Sequence, residues 1–115
     1  MTGFSNADLI SQHTHGFEAS FQLFIPAQLI YFKGHFNNLP ILPGLVQIKW
    51  AIEFSTQLSK RNQIKKINRL KFSGLILPNT TLTLSIHYKM ESGRADFRYH
   101  NDTVTFSQGQ LLYRD

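Results

Sequence analysis

The residues with the clearest chemical potential lie in one loop and in the segment that follows it. His35 comes directly after Gly34, and an imidazole can accept or donate a proton near neutral pH. Pro40 and Pro43 fix the backbone φ angle twice and remove two amide donors, so the segment after His35 can form neither a helix nor a central strand. Pro43 and Gly44 then begin an apolar run of helical length. The sequence therefore predicts a candidate catalytic histidine held near the positive end of a buried helix.

The predicted helix covers residues 44–60 and is apolar on nearly every side. Its apolar residues are Leu45, Val46, Ile48, Trp50, Ala51, Ile52, Phe54 and Leu58. This composition is typical of a buried helix, in which Lys49 is an anomaly. Glu53 follows one turn later, at a spacing that allows an ion pair with Lys49. A structural ion pair is thus one interpretation of these two residues, and a role in a site is the other.

The elements around this helix read as strands. Alternating apolar and polar residues predict strands at residues 17–25, 67–77, 81–90, 94–99 and 103–113. Gly74 interrupts the second of these, where a bulge is expected. Residues 1–15 are weakly patterned and predict a loose segment, or a short helix around residues 6–12. We therefore expect a single α+β domain over residues 1–115, in which a strongly curved antiparallel sheet wraps one long helix and a second subunit covers what remains.

Composition restricts the other kinds of site. The chain has 115 residues, and its hydrophobic content of 42% is that of a globular domain. Because cysteine is absent, disulfides, thiolate metal sites and cysteine nucleophiles are excluded. His13 and His15 have a spacing that could bind a metal ion in an extended strand, but no third ligand is evident, so we expect no metal site. Neither a signal peptide nor an apolar run of membrane-spanning length is present, which predicts a cytoplasmic protein without a membrane span.

The formal net charge of +5 favours an acidic partner. Basic residues concentrate after the helix, at Lys60, Arg61, Lys65 and Lys66. One interpretation is a solvated, charged connector, and the other is a docking surface. No nucleic-acid-binding motif accompanies these residues, so an acidic carrier protein is favoured over nucleic acid.

The segment G-H-F-N-N-L-P-I-L-P-G at residues 34–44, with the apolar helix after it, resembles a known family. Hot-dog-fold 3-hydroxyacyl-(acyl carrier protein) dehydratases of the FabA/FabZ type have the loop G-H-F-P-x-x-P-x-x-P-G, from which this sequence departs only at Asn37. The resemblance extends over almost the whole chain from about residue 17. Within the helix, the pattern Gln47-Ile48-x-Trp50-Ala51 looks most like the small dehydratase-like proteins of aryl-polyene gene clusters.

The resemblance implies the dehydration of a 3-hydroxyacyl thioester, linked to acyl carrier protein or CoA, to a trans-2-enoyl thioester in fatty-acid or polyene biosynthesis. It implies no cofactor. By motif position His35 is the base, and the amide of Gly44 donates to the thioester oxygen. Phe32, Phe36 and Pro43 are expected to contact the acyl group.

The resemblance also implies partners. The expected assembly is a homodimer, with a heterodimer with a paralogue or a higher oligomer as alternatives. The acyl carrier protein is expected to bind at Lys65 and Lys66, because carrier proteins are acidic and these residues belong to the basic cluster.

One position departs from the family. Its acidic residue lies fourteen residues after the histidine, where this chain has Lys49. A lysine ammonium can donate a proton but would repel a protonated His35, and Glu53 is the nearest carboxylate on the helix. Three functions therefore stay open: a dehydratase with a replaced acid, a catalytically weak subunit that binds acyl thioesters beside an active homologue, and a thioester hydrolase.

Overall fold

One antiparallel sheet and one long helix form this computed structural model, which describes residues 5–32 and 40–114. In chain order the elements are β1 (Asp8–His15), β2 (Glu18–Ile25), a 3-10 turn (Ile30–Phe32), α1 (Gly44–Ser59), β3 (Ile64–Phe72), β4 (Thr80–Lys89), β5 (Arg94–His100) and β6 (Thr105–Tyr113). The order of strands in the sheet is β1-β2-β4-β5-β6-β3, with every neighbouring pair antiparallel. The predicted α+β architecture, a curved antiparallel sheet around one helix, is confirmed.

The core lies between the inner face of the sheet and α1. Strands β2, β4 and β5 alternate buried and exposed residues, as their sequence patterns predicted. Helix α1 packs mainly on β4 and β5. On β2, the Phe21 ring packs against Phe54 of the helix with 4.5 Å between ring centroids. These contacts fix where the helix begins relative to the sheet.

The first strand corrects one prediction, because residues 8–15 form β1 where a loose segment or short helix was expected. All eight residues of β1 are exposed, so no side-chain burial signals a strand there. The strand forms because its backbone pairs with β2 through a tight hairpin, in which Gly16 has a φ of 62°.

Strand β3 corrects a second prediction. It begins at Ile64, so Lys65 and Lys66 lie on a strand and not in a connector, and it ends at Phe72. The bulge expected at Gly74 lies instead within β3, where the register shifts between Asn68 and Lys71. At the sheet's edge such irregularities are common, since only one side of the strand must keep its ladder.

The composition of α1 predicted a buried helix, but within one chain the helix is not buried on all sides. Leu45 is 81% exposed, and Lys49 and Glu53 are also exposed. The reason is geometric, because one sheet covers only one side of a helix. At 16 residues α1 is too short to cross a bilayer, and no other helix among the described residues could do so.

Candidate active site

The start of α1 provides amide donors without a side-chain cap. Pro43 occupies the N-cap position and makes no capping hydrogen bond. The amides of Val46 and Gln47 both donate to the Pro43 carbonyl oxygen, at 3.1 and 3.2 Å. The amides of Gly44 and Leu45 precede them in the first turn, where helical amides have no partner within the helix. The first turn therefore favours negative charge near Gly44.

Gly44 lies against an aromatic ring of its own chain. A Cβ atom placed on Gly44 would be 2.7 Å from Cζ of Phe72, a distance that real side chains do not tolerate. Phe72 is the last residue of β3 and is 47% exposed. A larger residue at position 44 would therefore have to displace the half-exposed Phe72 ring, which stands beside the expected oxyanion donor.

Gln47 is the polar centre of this region, with an exposure of only 3%. Its Nε2 donates to the carbonyl oxygen of Leu42 at 3.1 Å, and its Oε1 accepts from the hydroxyl of Ser107 at 2.6 Å. The Tyr99 hydroxyl donates to the Gln47 backbone carbonyl at 2.8 Å. Burial, with a smaller contribution from the Glu53 carboxylate, raises the pKa of Tyr99 well above its ordinary value, so this hydroxyl stays protonated as a donor.

Sequence reasoning did not identify this network, although one signal was present. Gln47 falls on the stripe of α1 that also holds the buried Val46, Trp50 and Ala51. A buried side-chain amide needs hydrogen-bond partners, but the sequence pattern of one segment does not show which distant residues provide them. Ser107 and Tyr99 lie on β6 and β5, more than fifty residues away in the chain.

The predicted site residues are only partly brought together. His35 and Phe36 lie outside the described residues. Pro43 and Gly44 form the helix start, as expected. Phe32 ends the 3-10 turn and is half-buried against the core.

Lys49 and Glu53 lie one turn apart on the exposed side of α1. Within the described part of the chain, no ion pair joins them. The structural ion pair is therefore not formed in a single chain, and both side chains are free to face another subunit or a ligand.

A small cavity of about 190 Å³ lies beside Glu53, where α1 meets residues 6–7. Trp50 and Phe54 form part of its wall. The indole Nε1 of Trp50 is buried and has no hydrogen-bond partner in the described ranges. The cavity therefore combines two aromatic rings with polar side chains, including the Glu53 carboxylate.

A larger groove of about 600 Å³ crosses the outer face of the sheet, away from α1. Cross-strand pairing places His15, Glu18, His87 and Asp96 in one row along it. No group of three or more His, Asp or Glu in residues 5–32 and 40–114 could hold a metal ion. The residues that line it lie on all six strands. The catalytic candidates that the structure describes, Gly44, Lys49 and Glu53, are not among them.

On the same outer face, His100 lies diagonally across from Ser85, and its Nε2 atom forms a hydrogen bond of 2.7 Å with the Ser85 hydroxyl. Burial, and to a lesser degree the charge of Arg98, lower the pKa of His100 from its ordinary 6.5. The neutral ring is therefore the form that the fold favours.

A curved antiparallel sheet packed on one long helix defines a hot-dog protein. The chain belongs to the ApeI-like family, whose model is described as ApeI dehydratase and matches residues 11–110. The predicted resemblance to hot-dog dehydratases of the aryl-polyene kind is thereby confirmed.

Two solved structures are similar over nearly their full lengths. One is the dehydratase heterocomplex ApeI:P from Xenorhabdus doucetiae, with 31% sequence identity and a TM-score of 0.87 over 95% of this chain and 99% of that chain. The other is an uncharacterized protein from Erwinia carotovora subsp. atroseptica, with 25% identity and a TM-score of 0.78 over 95% of this chain and 96% of that one. No curated protein matches the sequence.

Proposed function

We propose that this protein dehydrates a 3-hydroxyacyl thioester to a trans-2-enoyl thioester, with His35 as the base. The observation that carries the proposal is the family match over residues 11–110, which includes the complete loop from Gly34 to Gly44. The uncapped first turn of α1 supports it, because the reaction passes through a thioester enolate that amide donors stabilise.

The reaction needs three groups. His35 removes a proton from carbon 2, and the electron pair left behind forms the new double bond as the bond from carbon 3 to oxygen breaks. The amide of Gly44 donates to the thioester oxygen while negative charge collects there. A third group donates a proton to the departing hydroxyl, which leaves as water.

Lys49 or Glu53 is the proposed donor of this third proton. Both lie on the exposed side of α1, where a second subunit would find them accessible. Glu53 also lines the cavity beside Trp50, so its carboxyl can meet an acyl group there. Lys49 holds the position at which the resembling dehydratases have a carboxylate, and its ammonium can donate a proton but cannot return as a base while charged.

A second function is favoured by the same lysine. With an ammonium in place of the carboxylate, the chain would bind an acyl thioester weakly or unproductively and support an active homologue. The relative from Xenorhabdus doucetiae is a dehydratase heterocomplex, which is consistent with such a subunit.

The test is to incubate the purified protein with a 3-hydroxyacyl carrier-protein thioester and to follow the enoyl product and free thiol by mass spectrometry. Enoyl formation supports the dehydratase. Free thiol without an enoyl product identifies a hydrolase and refutes it. No turnover by the wild type, with turnover gained in Lys49→Glu, supports the weakly active subunit.

We also propose that two copies associate through the apolar surface around the start of α1. This helix-start patch consists of Leu45, Leu70, Phe72, Leu75 and Leu77, all exposed in one chain. Two contacts bring its segments to the helix start: Phe72 packs on Gly44, and the Leu42 amide donates to the carbonyl oxygen of Ile76, which lies between Leu75 and Leu77, at 2.9 Å. Apolar surface of this kind beside an edge strand is typical of an interface.

Replacing Leu45 by glutamate is expected to weaken the dimer at least tenfold, since the charge would lose its water on association. Light scattering over a range of concentrations measures the change. Met90→Glu is the matched control, because Met90 is also exposed but lies in the turn between β4 and β5. A wild-type protein that is monomeric alone would instead favour a related dehydratase chain as the partner, and equal effects of the two variants would remove this interface.

For the carrier protein, we propose binding at Lys65 and Lys66, which are exposed on β3. The double variant Lys65→Glu/Lys66→Glu is expected to weaken binding about tenfold or more at low salt, and less at high salt, because screening removes the attraction. Calorimetry at two salt concentrations measures this. Lys89→Glu/Arg98→Glu makes the same charge change on the outer face and should have a smaller effect. Equal affinity of the two double variants would contradict the site.

A further inference from the structure

We infer that Gln47 is a positioning residue, whose side-chain amide holds Leu42 and, through it, the start of α1. The expected effect of Gln47 on catalysis rests on the proposed dehydratase function. The geometric part stands on the hydrogen bonds alone.

The segment before the helix is held at Leu42. This residue lies between Pro40 and Pro43, in a stretch without regular secondary structure. Its amide donates to the Ile76 carbonyl oxygen at 2.9 Å, and its own carbonyl oxygen accepts from Nε2 of Gln47 at 3.1 Å. Both backbone groups of Leu42 are therefore bonded, one by the Ile76 backbone and the other by a helix side chain, although Leu42 itself belongs to no helix or strand.

The other end of the Gln47 side chain is tied to the sheet. Because the Leu42 carbonyl can only accept, Nε2 must face it and Oε1 must face Ser107. The Ser107 hydroxyl donates to Oε1 at 2.6 Å from a fully buried position on β6. Tyr99 of β5 adds a bond to the Gln47 carbonyl oxygen, so two strands hold this one residue.

The bond between Gln47 and Leu42 spans the residue whose amide is the proposed oxyanion donor. Gly44, whose amide is the proposed oxyanion donor, lies between Leu42 and Gln47. The bond from Gln47 to Leu42 thus closes a ring around Pro43 and Gly44, and the sheet holds one side of that ring. Misplacing a reacting group by 1 Å can cost about 100-fold in rate.

The buried contact between Ser55 and Tyr113 is a matched control. Ser55 is fully buried on the same helix, and its hydroxyl bonds to the Tyr113 hydroxyl of the same strand, β6. It lies two turns further along α1, away from Gly44. Ser55→Ala therefore removes a helix-to-sheet hydrogen bond without touching the helix start.

The experiment compares Gln47→Leu with Ser55→Ala in the full-length protein. Both are expected to lower the melting temperature, because both remove buried hydrogen bonds between helix and sheet. Only Gln47→Leu should lower kcat, by about 100-fold with little change in KM. Only Gln47→Leu should also shift the amide NMR resonance of Gly44 and speed its hydrogen exchange. Ser107→Ala removes a single bond and should act in the same direction to a smaller extent, which keeps the test available if Gln47→Leu does not fold.

Two results would overturn the inference. One is a Gly44 resonance and exchange rate that respond equally to Gln47→Leu and Ser55→Ala, since the effect would then be general loss of stability. The other is a Gln47 or Ser107 variant that leaves both unchanged. If the wild type has no dehydratase activity, the proposed function fails, but the Gly44 resonance and its exchange rate still test whether Gln47 positions the helix start. The two failures can therefore be distinguished.

Discussion

Replacing His35 by alanine is expected to reduce the rate of enoyl formation by about 10² to 10⁴-fold, the contribution of a positioned general base. The imidazole is the one group in the loop from Gly34 to Gly44 that can accept a proton near neutral pH. Single-turnover measurement of the enoyl product is the most direct assay, because it isolates the chemical step from product release. The melting temperature should stay within a few degrees of the wild type.

The variant Lys49→Met separates the role of Lys49 from that of His35. If turnover is lost in His35→Ala but kept in Lys49→Met, the mechanism depends on the histidine and not on the lysine, and Glu53 becomes the proposed acid. If both variants lose turnover to the same degree, the two residues act as one unit. Turnover that survives in His35→Ala would refute the assignment of the base.

Replacing Phe21 by alanine is expected to lower the free energy of unfolding by about 3 to 5 kcal/mol. Phe21 is fully buried on β2, and its ring packs against Phe54 of α1 at 4.5 Å. The substitution leaves a cavity between sheet and helix, and part of the packing that fixes α1 is lost. A loss of this size is a large share of the total stability of a small domain. Urea denaturation followed by circular dichroism measures it.

Phe24→Ala is the control, since Phe24 lies on the same strand but on the opposite, half-buried face. Its replacement should cost about 1 kcal/mol or less, in line with partly exposed positions. Similar losses for both variants would mean that the helix-facing side of β2 is not the principal core.

Short-range patterns in the sequence determined much of this fold. Alternation along β2, β4 and β5 requires one buried face, because successive side chains of a strand point in opposite directions. The apolar segment after Pro43 determined the helix, whose observed bounds are Gly44–Ser59. The loop motif and the helix pattern were sufficient to indicate the family. These features were predictable because each depends on residues that are close together in the chain.

The predictions that failed depended on partners that lie far away in the chain. β1 has no buried side chain and exists through its pairing with β2. The extent of β3 is set by its ladder with β6, including the shift next to Arg69. The local sequence does not predict where either strand begins or ends, because nearly every residue type has the same backbone hydrogen-bonding groups.

The sequence by itself determined the composition of the candidate site: a histidine before two prolines, a glycine at the start of a helix, and a lysine fourteen residues after the histidine. Only the tertiary structure decided that Lys49 and Glu53 are exposed and unpaired with each other in one chain, that Phe72 packs on Gly44, and that Gln47 is bonded to Leu42 and Ser107. The physical reason is that residue types fix which bonds a site can form. The distances at which those bonds form depend on the packing of a helix against strands distant in sequence.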